Sequence, residues 1–255
     1  VRVSLDGRDY LDRLGLTAGE FYRRMAASEQ LPQTSQPPAG DFRRLFEHVL
    51  AYQPGAVYVG VSRSLSGTLQ SGETAARACG KPTLAFDSGH VCAGQGLLAW
   101  RAGEMADAGA DAASIEAELA RLKPLTFTWA MARDISHAVR GGRIPRWAEP
   151  AVRYSGLLPV AAIKPDGKLG VAGGLFARGR APEAFARYVA KRTPRTHGWR
   201  LIVGHSDALA DGERLLVALR ERLPVVEAHL VEVGPAVGAH AGPGTLVVGL
   251  QPAPL

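Results

Sequence analysis

Short apolar runs alternate with amphipathic stretches along the first half of the chain, and this alternation restricts the fold more than any single motif. Residues 56–61 and 83–86 are mostly apolar and bounded by turn residues, which is typical of buried strands. Between residues 42 and 49, apolar side chains recur at the i, i+3, i+4 and i+7 positions of an amphipathic helix. Strands that alternate with helices in this way predict a parallel sheet with helices on both faces.

The pattern changes in the second half. Residues 158–163 and 169–171 flank Lys164-Pro-Asp-Gly-Lys168, which has the composition of a hairpin turn. Predicted helices and strands alternate from there to the C-terminus. We therefore predict an α/β protein of two α/β domains: residues 1–135, with a mostly parallel sheet covered by helices on both faces, and residues 136–255, with a mixed sheet and helices. The Pro-rich residues 31–38 are predicted to be irregular, and residues 234–244 to form a loop.

Composition excludes several classes of protein. With only Cys79 and Cys92, the chain has neither a disulfide scaffold nor a cysteine-rich zinc site, and a reducing cytoplasm is the expected compartment. No apolar run approaches the ~20 residues that cross a bilayer, and residues 1–5 lack the pattern of a signal peptide. No glycine-rich nucleotide-binding motif follows a predicted strand, so the sequence does not support nucleotide binding.

The positive charge is concentrated in one segment. The net charge is +6, and residues 176–200 carry the whole excess, because seven basic residues stand there against Glu183 alone. These basic residues could form a solvent-exposed helix face, a docking patch for an acidic partner or a surface that binds nucleic-acid phosphates. No aromatic interleaving accompanies the arginines, so we expect no nucleic-acid partner. The basic residues are Arg178, Arg180, Arg187, Lys191, Arg192, Arg195 and Arg200.

A polar loop, Ser62-Arg-Ser-Leu-Ser-Gly-Thr68, separates a predicted strand from a predicted helix. Hydroxyls and free N–H groups at a helix start bind anions, but Ser66 or Thr68 could equally serve as a helix cap. Asp87-Ser88 ends the next predicted strand, where an Asx turn is the alternative to a functional role.

Residues 234–244 contain four glycines, two prolines and His240. So many glycines indicate backbone in unusual conformations close to another backbone or a ligand. A single His is often structural, but this loop is too apolar to need it for solubility, which favours a functional role for His240. His90, Cys92 and Asp87 lack the spacing of metal ligands. Hydroxyls, one His and arginines describe a site for a carboxylate or phosphate better than a catalytic one.

Six sequence blocks occur together and in order: Thr34-Ser-Gln-Pro37, Val61-Ser-Arg-Ser-Leu-Ser-Gly-Thr68 with Gln70, Asp87-Ser88, Gly141-Gly-Arg-Ile144, Lys164-Pro-Asp-Gly167 and the glycine-rich residues 234–244. Together they resemble the DegV family of bacterial fatty-acid-binding proteins. In two places this chain departs from the family pattern, with Pro38 and Ala241 where Ser and Thr are usual. The resemblance also implies that the family's opening strand and Asp-Ser-Thr loop precede Val1.

The resemblance implies a long-chain fatty acid in a tunnel between the two domains, with its carboxylate held by Thr34, Ser66 and His240. It implies no catalytic residue, no metal and no cofactor, the fatty acid being the ligand. Some family members present the acid to an ATP-dependent kinase subunit that makes the acyl phosphate, and Arg178 and Arg180 match a partner-facing segment. Membrane contact is expected to be transient only. The supporting loop residues are Ser35, Gly67, Thr68, Asp87, Ser88 and Arg143.

Two alternatives stay open at this point. An acyl hydrolase could use Ser66 and His240 with Asp87, and a lipid-binding module could act without any kinase.

Overall fold

The computed structural model describes residues 1–28, 30–142, 144, 148–177 and 179–254. The predicted Arg143 and Arg178 therefore lie outside the described residues. The described part contains ten α-helices and eleven strands in three sheets, which confirms the α/β class.

The first sheet is parallel and has helices on both faces, as predicted. It pairs β4 (Ala56–Gly60) with β5 (Thr83–Asp87). One face packs on α4 (Cys92–Asp107) and α5 (Ala112–Leu122), and the other on α2 (Ala39–Tyr52) and α3 (Thr68–Arg77). The alternation of side chains along β4 explains this, since Val57 and Val59 face α4 and α5, whereas Tyr58 packs with Phe42 of α2.

A mixed sheet of six strands forms the second layer. Its strands are β6 (Phe127–Met131), β7 (Leu158–Ile163), β8 (Leu169–Leu175), β9 (Trp199–His205), β10 (Val225–Glu232) and β11 (Leu246–Pro252). Their order in the sheet is β10-β9-β11-β6-β7-β8. Only β9 and β10 run parallel to each other, and the predicted hairpin at residues 164–168 joins β7 to β8. One face packs on α8 (Ala181–Ala190) and α9 (Leu209–Arg220), and α4 covers the other.

The position of strand β6 is relevant to the predicted boundary between the two domains. It belongs to residues 1–135 in sequence but pairs with β7 and β11 in the second sheet. The boundary at 135/136 stays a prediction. Helix α4 packs against both β4 and β11, so it joins the two layers.

The structure also contains a third, antiparallel sheet, which was not predicted from the sequence. It has the order β2-β1-β3, from β1 (Arg2–Leu5), β2 (Arg8–Leu11) and β3 (Gln33–Ser35). The prediction that residues 31–38 are wholly irregular is wrong, because Thr34 pairs with Val3 of β1. Three polar residues carry no strand pattern of their own, so only this distant pairing makes them a strand. Helix α1 (Ala18–Ala27), whose N-terminus is capped by the Thr17 side chain, covers this sheet.

Residues 234–244 also differ from their prediction as a loop, because Pro235–Ala241 form the helix α10. Pro235 occupies the first turn, where its missing N–H costs nothing. Gly242, with φ of 72°, ends the helix in a conformation that side-chain-bearing residues rarely adopt. Glycine is therefore a helix terminator here.

Two short helices complete the structure, α6 (Ser136–Arg140) and α7 (Ala148–Ser155). In the part of the chain that the structure describes, no helix combines the length and the apolar composition that crossing a membrane requires.

Candidate functional site

A cavity of about 920 Å³ lies between the parallel sheet and the six-stranded sheet. Its volume falls in the range of about 300–1,000 Å³ that is usual for small-molecule sites. Residues from both predicted domains line it, so the elements that form it are brought together only by the tertiary fold. The wall is mostly apolar and includes Phe42, Leu65, Val91, Ala130, Ala161 and Val247.

Polar side chains gather at one end of this cavity, and we call Thr34, Ser66, Thr68 and His240 the hydroxyl–His cluster. Thr34 Oγ1 lies 2.8 Å from His240 Nε2, which joins β3 to α10. Ser66 Oγ accepts a hydrogen bond from the Thr68 amide at 3.2 Å and lies 2.9 Å from Thr68 Oγ1. Three separate segments thus place hydroxyl and imidazole groups at one end of an apolar cavity.

The contacts of Ser66 show how capping and binding combine. By accepting from the Thr68 amide, Ser66 Oγ satisfies one of the free N–H groups at the start of α3. The hydroxyls of Ser66 and Thr68 share one hydrogen bond, so one of their two protons can turn towards a ligand in the cavity. The two alternatives weighed for this residue are therefore compatible with each other.

The loop of residues 62–68, which we call the hydroxyl loop, lies against the end of β3 through the contact between Gly67 and Gln36. A Cβ at Gly67 would overlap Gln36 Oε1, so only glycine allows Gln36 to lie in this place. Gln36 follows Ser35, and both residues line the cavity next to Thr34. Gln36 stands within the first of the six sequence blocks but was not predicted as a site residue.

The β7–β8 turn fixes the hydroxyl loop from the other side. Ser62 Oγ donates to the Gly167 carbonyl at 2.8 Å, and Ser64 Oγ donates to the Asp166 carbonyl at the same distance. These bonds give the Lys164-Pro-Asp-Gly167 block a structural role, because they hold the segment that carries Ser66.

Helix α10 is supported in turn by α6. The ring of His137 packs against Gly242, and a Cβ at Gly141 would come within 2.6 Å of His240 Nδ1. The close approach to residue 141 restricts the His240 ring to a narrow range of positions facing Thr34.

Asp87 and Ser88 form hydrogen bonds with nearby loop residues and do not line the cavity. Asp87 Oδ1 accepts hydrogen bonds from the amides of Gly89 and Arg63, at 2.9 and 3.3 Å, which is the Asx-turn alternative. Ser88 is fully buried and donates to the His90 carbonyl. Neither is among the described residues that line the cavity. The carboxylate of Asp87 is thus engaged within its own turn.

Among its described residues, the cavity wall carries one basic and three acidic side chains, Arg2, Asp12, Asp41 and Asp134. Burial raises the pKa of the Tyr58 phenol to about 12 and that of the Cys92 thiol to about 11, so both groups stay protonated. Among the described lining residues, Arg2 is the one Arg or Lys, and it is paired with Asp41 at 3.4 Å. An anion at the hydroxyl–His cluster is therefore met by hydrogen-bond donors rather than by a lysine or arginine of the described part.

Within the described residues, no three His, Cys, Asp or Glu side chains are placed to hold a metal ion.

The comparison with protein-family models decides the family, because the DegV family model matches residues 1–253. The chain belongs to the DegV family. A DegV domain-containing protein of Listeria monocytogenes is 30% identical over 246 residues, which cover 96% of this chain and 87% of that protein.

Solved structures of DegV proteins have the same fold. A fatty-acid-binding DegV family protein of Thermus thermophilus superposes with a TM-score of 0.85 at 28% identity, over 99% of this chain and 90% of that one. The Fatty Acid Kinase (Fak) B3 protein of Streptococcus pneumoniae, loaded with linoleic acid, gives a TM-score of 0.88 over 99% and 89% of the two chains. At 16% identity, the second likeness concerns the fold alone.

The apolar wall of this DegV protein is what sequence reasoning missed. Ala130 and Ala161 lie on β6 and β7, and nothing in their sequence context distinguishes a cavity wall from a packed core. Gln95 and Thr128 also line the cavity and were not predicted. Alternation along β6 was the available signal, since Trp129 faces the core under α8 and α9, which turns Thr128 and Ala130 to the opposite face.

Of the two predicted partner-docking residues, Arg180 is among the described residues and Arg178 is not. Arg180 is exposed and immediately precedes α8. Arg200, counted in the same basic segment, is buried and paired with Glu104 and Glu227. The exposed basic residues of the segment are Arg180, Arg187, Lys191, Arg192 and Arg195.

Proposed function

We propose that this DegV protein binds a long-chain fatty acid in the cavity, with the carboxylate at the hydroxyl–His cluster and the acyl chain along the apolar wall. The observation that carries the proposal is the pairing of Thr34 with His240 at one end of a largely apolar cavity. A site with one polar end and a long apolar body matches a ligand of the same construction. The fatty-acid-binding DegV neighbour from Thermus thermophilus supports this choice of ligand.

The head group needs donors, because a buried carboxylate is costly unless it is hydrogen-bonded. The hydroxyls of Ser66 and Thr68 share one hydrogen bond, so one of their two protons is left for the carboxylate. Thr34 and His240 bond each other, so one of them holds a hydrogen that a carboxylate can accept instead. Bonds to a charged acceptor contribute about 1.5–3 kcal/mol each, which offsets the loss of water around the carboxylate.

The acyl chain supplies most of the affinity. Each methylene moved from water to an apolar wall stabilises the complex by about 0.8 kcal/mol. Because this contribution grows with chain length while the head-group contribution stays constant, long chains are favoured over short ones.

The proposal extends to a partner, an ATP-dependent kinase subunit that phosphorylates the bound acid. The terminal phosphoryl group of ATP would pass to a carboxylate oxygen, which leaves ADP and an acyl phosphate. In this scheme the DegV chain holds and presents the substrate and is not itself the catalyst.

A basic surface supports the kinase partner. Arg180, Glu183, Arg187 and Lys191 follow one another at intervals of three or four residues, which places them along one face of α8 and its ends. Glu183 is already paired with Arg214, so the face presents mainly positive charge. Such a face attracts an acidic partner and accelerates its association.

The test of the proposed function is the mass of the ligand that stays with the protein. Protein purified natively from a bacterial host is denatured, extracted with solvent and analysed by mass spectrometry. We expect one long-chain fatty acid per chain. An Ala161→Phe variant, which places a ring in the cavity, serves as the control and should carry much less. Phospholipid, nucleotide or no ligand in the parent protein would overturn the proposal.

A further inference from the structure

Two polar side chains, Gln95 and Thr128, line the cavity away from the end of α10 that carries His240. Gln95 is on α4, and Thr128 is near the beginning of β6. The end of α10 lies at the other end of β6, where Thr245 donates to the Ala241 carbonyl beside His240. Strand β6 pairs Met131 with Leu246, so Thr245 is level with residue 132. Four residues of strand, about 13 Å, therefore separate the level of Thr128 from that of Thr245 and the end of α10.

The proton of the Thr128 hydroxyl is directed away from the cavity. His90 Nε2 lies 3.1 Å from the Lys123 carbonyl oxygen, which can only accept, so Nε2 carries the hydrogen. Burial lowers the pKa of His90, so the ring is neutral and Nδ1 is a bare acceptor. Thr128 Oγ1, at 3.0 Å, donates to it. Thr128 Oγ1, which packs against Gly94, accepts no hydrogen bond from the residues that the structure describes.

Gln95 also presents an acceptor. Its Nε2 donates to the Val59 carbonyl at 3.1 Å, which fixes the orientation of the amide. Its Oε1 accepts no hydrogen bond from the residues that the structure describes. Thr128 is packed against Gly94, the neighbour of Gln95, so the two acceptors belong to one region of the wall.

We propose that the cavity prefers a long-chain fatty acid that carries a hydroxyl group along its chain, whose O–H donates to Thr128 Oγ1 or Gln95 Oε1. This rests on the proposed function, since it requires a fatty acid in the cavity. A plain methylene at this level removes water from both acceptors and returns nothing, whereas a hydroxyl restores a donor. The preference depends on position, because a hydroxyl beside the carboxyl group cannot reach this region.

The test compares octadecanoic acid with a series of its single-hydroxyl derivatives, with the hydroxyl placed from beside the carboxyl group to near the methyl end. Delipidated protein is titrated with each acid by calorimetry. We expect one or two mid-chain positions to bind about threefold to tenfold more tightly than the plain acid, the equivalent of one neutral hydrogen bond. The derivative with its hydroxyl beside the carboxyl group should show no gain.

Three variants assign the effect to these side chains. Thr128→Val and Gln95→Met each remove one acceptor, and we expect the mid-chain preference to fall in one or both while the plain acid still binds. Thr128→Ser keeps the hydroxyl and should keep the preference. Thr128→Val also takes a donor from His90, so Gln95→Met provides the independent arm should that variant fold poorly.

The outcomes separate this inference from the proposed function. If neither plain nor hydroxylated acids bind, the proposed function fails. If octadecanoic acid binds and no hydroxyl position improves on it, or if the preference survives in both acceptor-removing variants, this inference is overturned and the proposed function stands.

Discussion

His240 Nε2 and Thr34 Oγ1 lie 2.8 Å apart although 206 positions separate them in the chain. This contact joins the three-stranded sheet to α10 and closes the polar end of the cavity. Each side chain holds the other in position, so the proposed head-group site is organised before a ligand arrives. Such preorganisation reduces the ordering cost of binding.

Removing donors from the hydroxyl–His cluster should weaken fatty-acid binding without unfolding the protein. We expect Ser66→Ala and His240→Ala each to cost about 1–3 kcal/mol of binding free energy, because a buried carboxylate oxygen loses a partner. Isothermal titration of delipidated protein measures the effect. The control is His48→Ala on the exposed side of α2, which should bind as the parent does. Unchanged affinity in both cluster variants, with the fold intact, would assign Ser66 and His240 to capping and packing only.

Two glycine substitutions should change stability in opposite directions. Gly242→Ala forces a side chain into φ of 72° and brings its Cβ within 2.7 Å of the His137 ring. We expect a loss of about 1–3 kcal/mol in the free energy of unfolding. Gly103→Ala, in the exposed interior of α4 with nothing within 4 Å, should instead gain about 0.5–1 kcal/mol. Urea unfolding monitored by circular dichroism measures both, and a loss for Gly103→Ala as large as that for Gly242→Ala would contradict the conformational argument.

The ion pair between Arg200 and Glu104 should make part of the stability depend on pH. Hydrogen bonds from Arg200 lower the pKa of Glu104, so this stabilisation is present above the usual Glu pKa and is lost as the pH falls through the lowered value. We expect Arg200→Met to cost about 1–3 kcal/mol at neutral pH and to lose less stability than the parent between about pH 5 and pH 3.

Urea midpoints across this pH range test the prediction for Arg200. The matched control is Arg43→Met, which breaks an exposed pair with Glu47 and should leave the pH profile unchanged. Parallel profiles for parent and Arg200→Met would remove the link between this pair and acid stability.

Charge reversal along α8 should impair use of the protein by a kinase but not binding of the acid. We expect Arg180→Glu combined with Arg187→Glu to slow acyl-phosphate formation by about tenfold at low salt, because the substitutions act on encounter. Added salt should reduce the parent's rate towards that of the variant, since exposed charges are screened beyond about 8 Å at physiological ionic strength.

The assay for the kinase partner combines the host's kinase subunit, ATP, a fatty acid and limiting DegV protein. Arg23→Glu on the exposed side of α1 is the control for charge alone. Equal rates for the α8 variant and its parent would separate this surface from docking. Undetectable transfer with any of the proteins would leave a fatty-acid-binding module without a kinase.

Local patterns were sufficient for most of the helices and for the strands of the parallel sheet and the six-stranded sheet. Residues 56–61 and 83–86 are mostly apolar runs bounded by turn residues, which is typical of strands, and the turn at residues 164–168 has the composition of a hairpin. The three-stranded sheet could not be predicted in the same way, because the polar residues of β3 become a strand only through pairing with β1. Helix α10 was not predicted because glycines in and around it usually weaken helices, but here Gly238 allows close packing on Tyr22.

The amino-acid sequence by itself determined the α/β class, the strand and helix periods, and the ordered blocks that supply Thr34, Ser66 and His240, because these features depend on neighbours a few residues apart. Only the tertiary structure decided that Thr34 contacts His240, that Asp87 remains in its turn, that Arg200 is buried while Arg180 is exposed, and that Gln95 and Thr128 line the cavity. The physical reason is that a cavity is bounded by side chains from elements distant in sequence. Whether a residue faces the cavity, the core or solvent is set by how those elements pack and by the register of the strands that carry them.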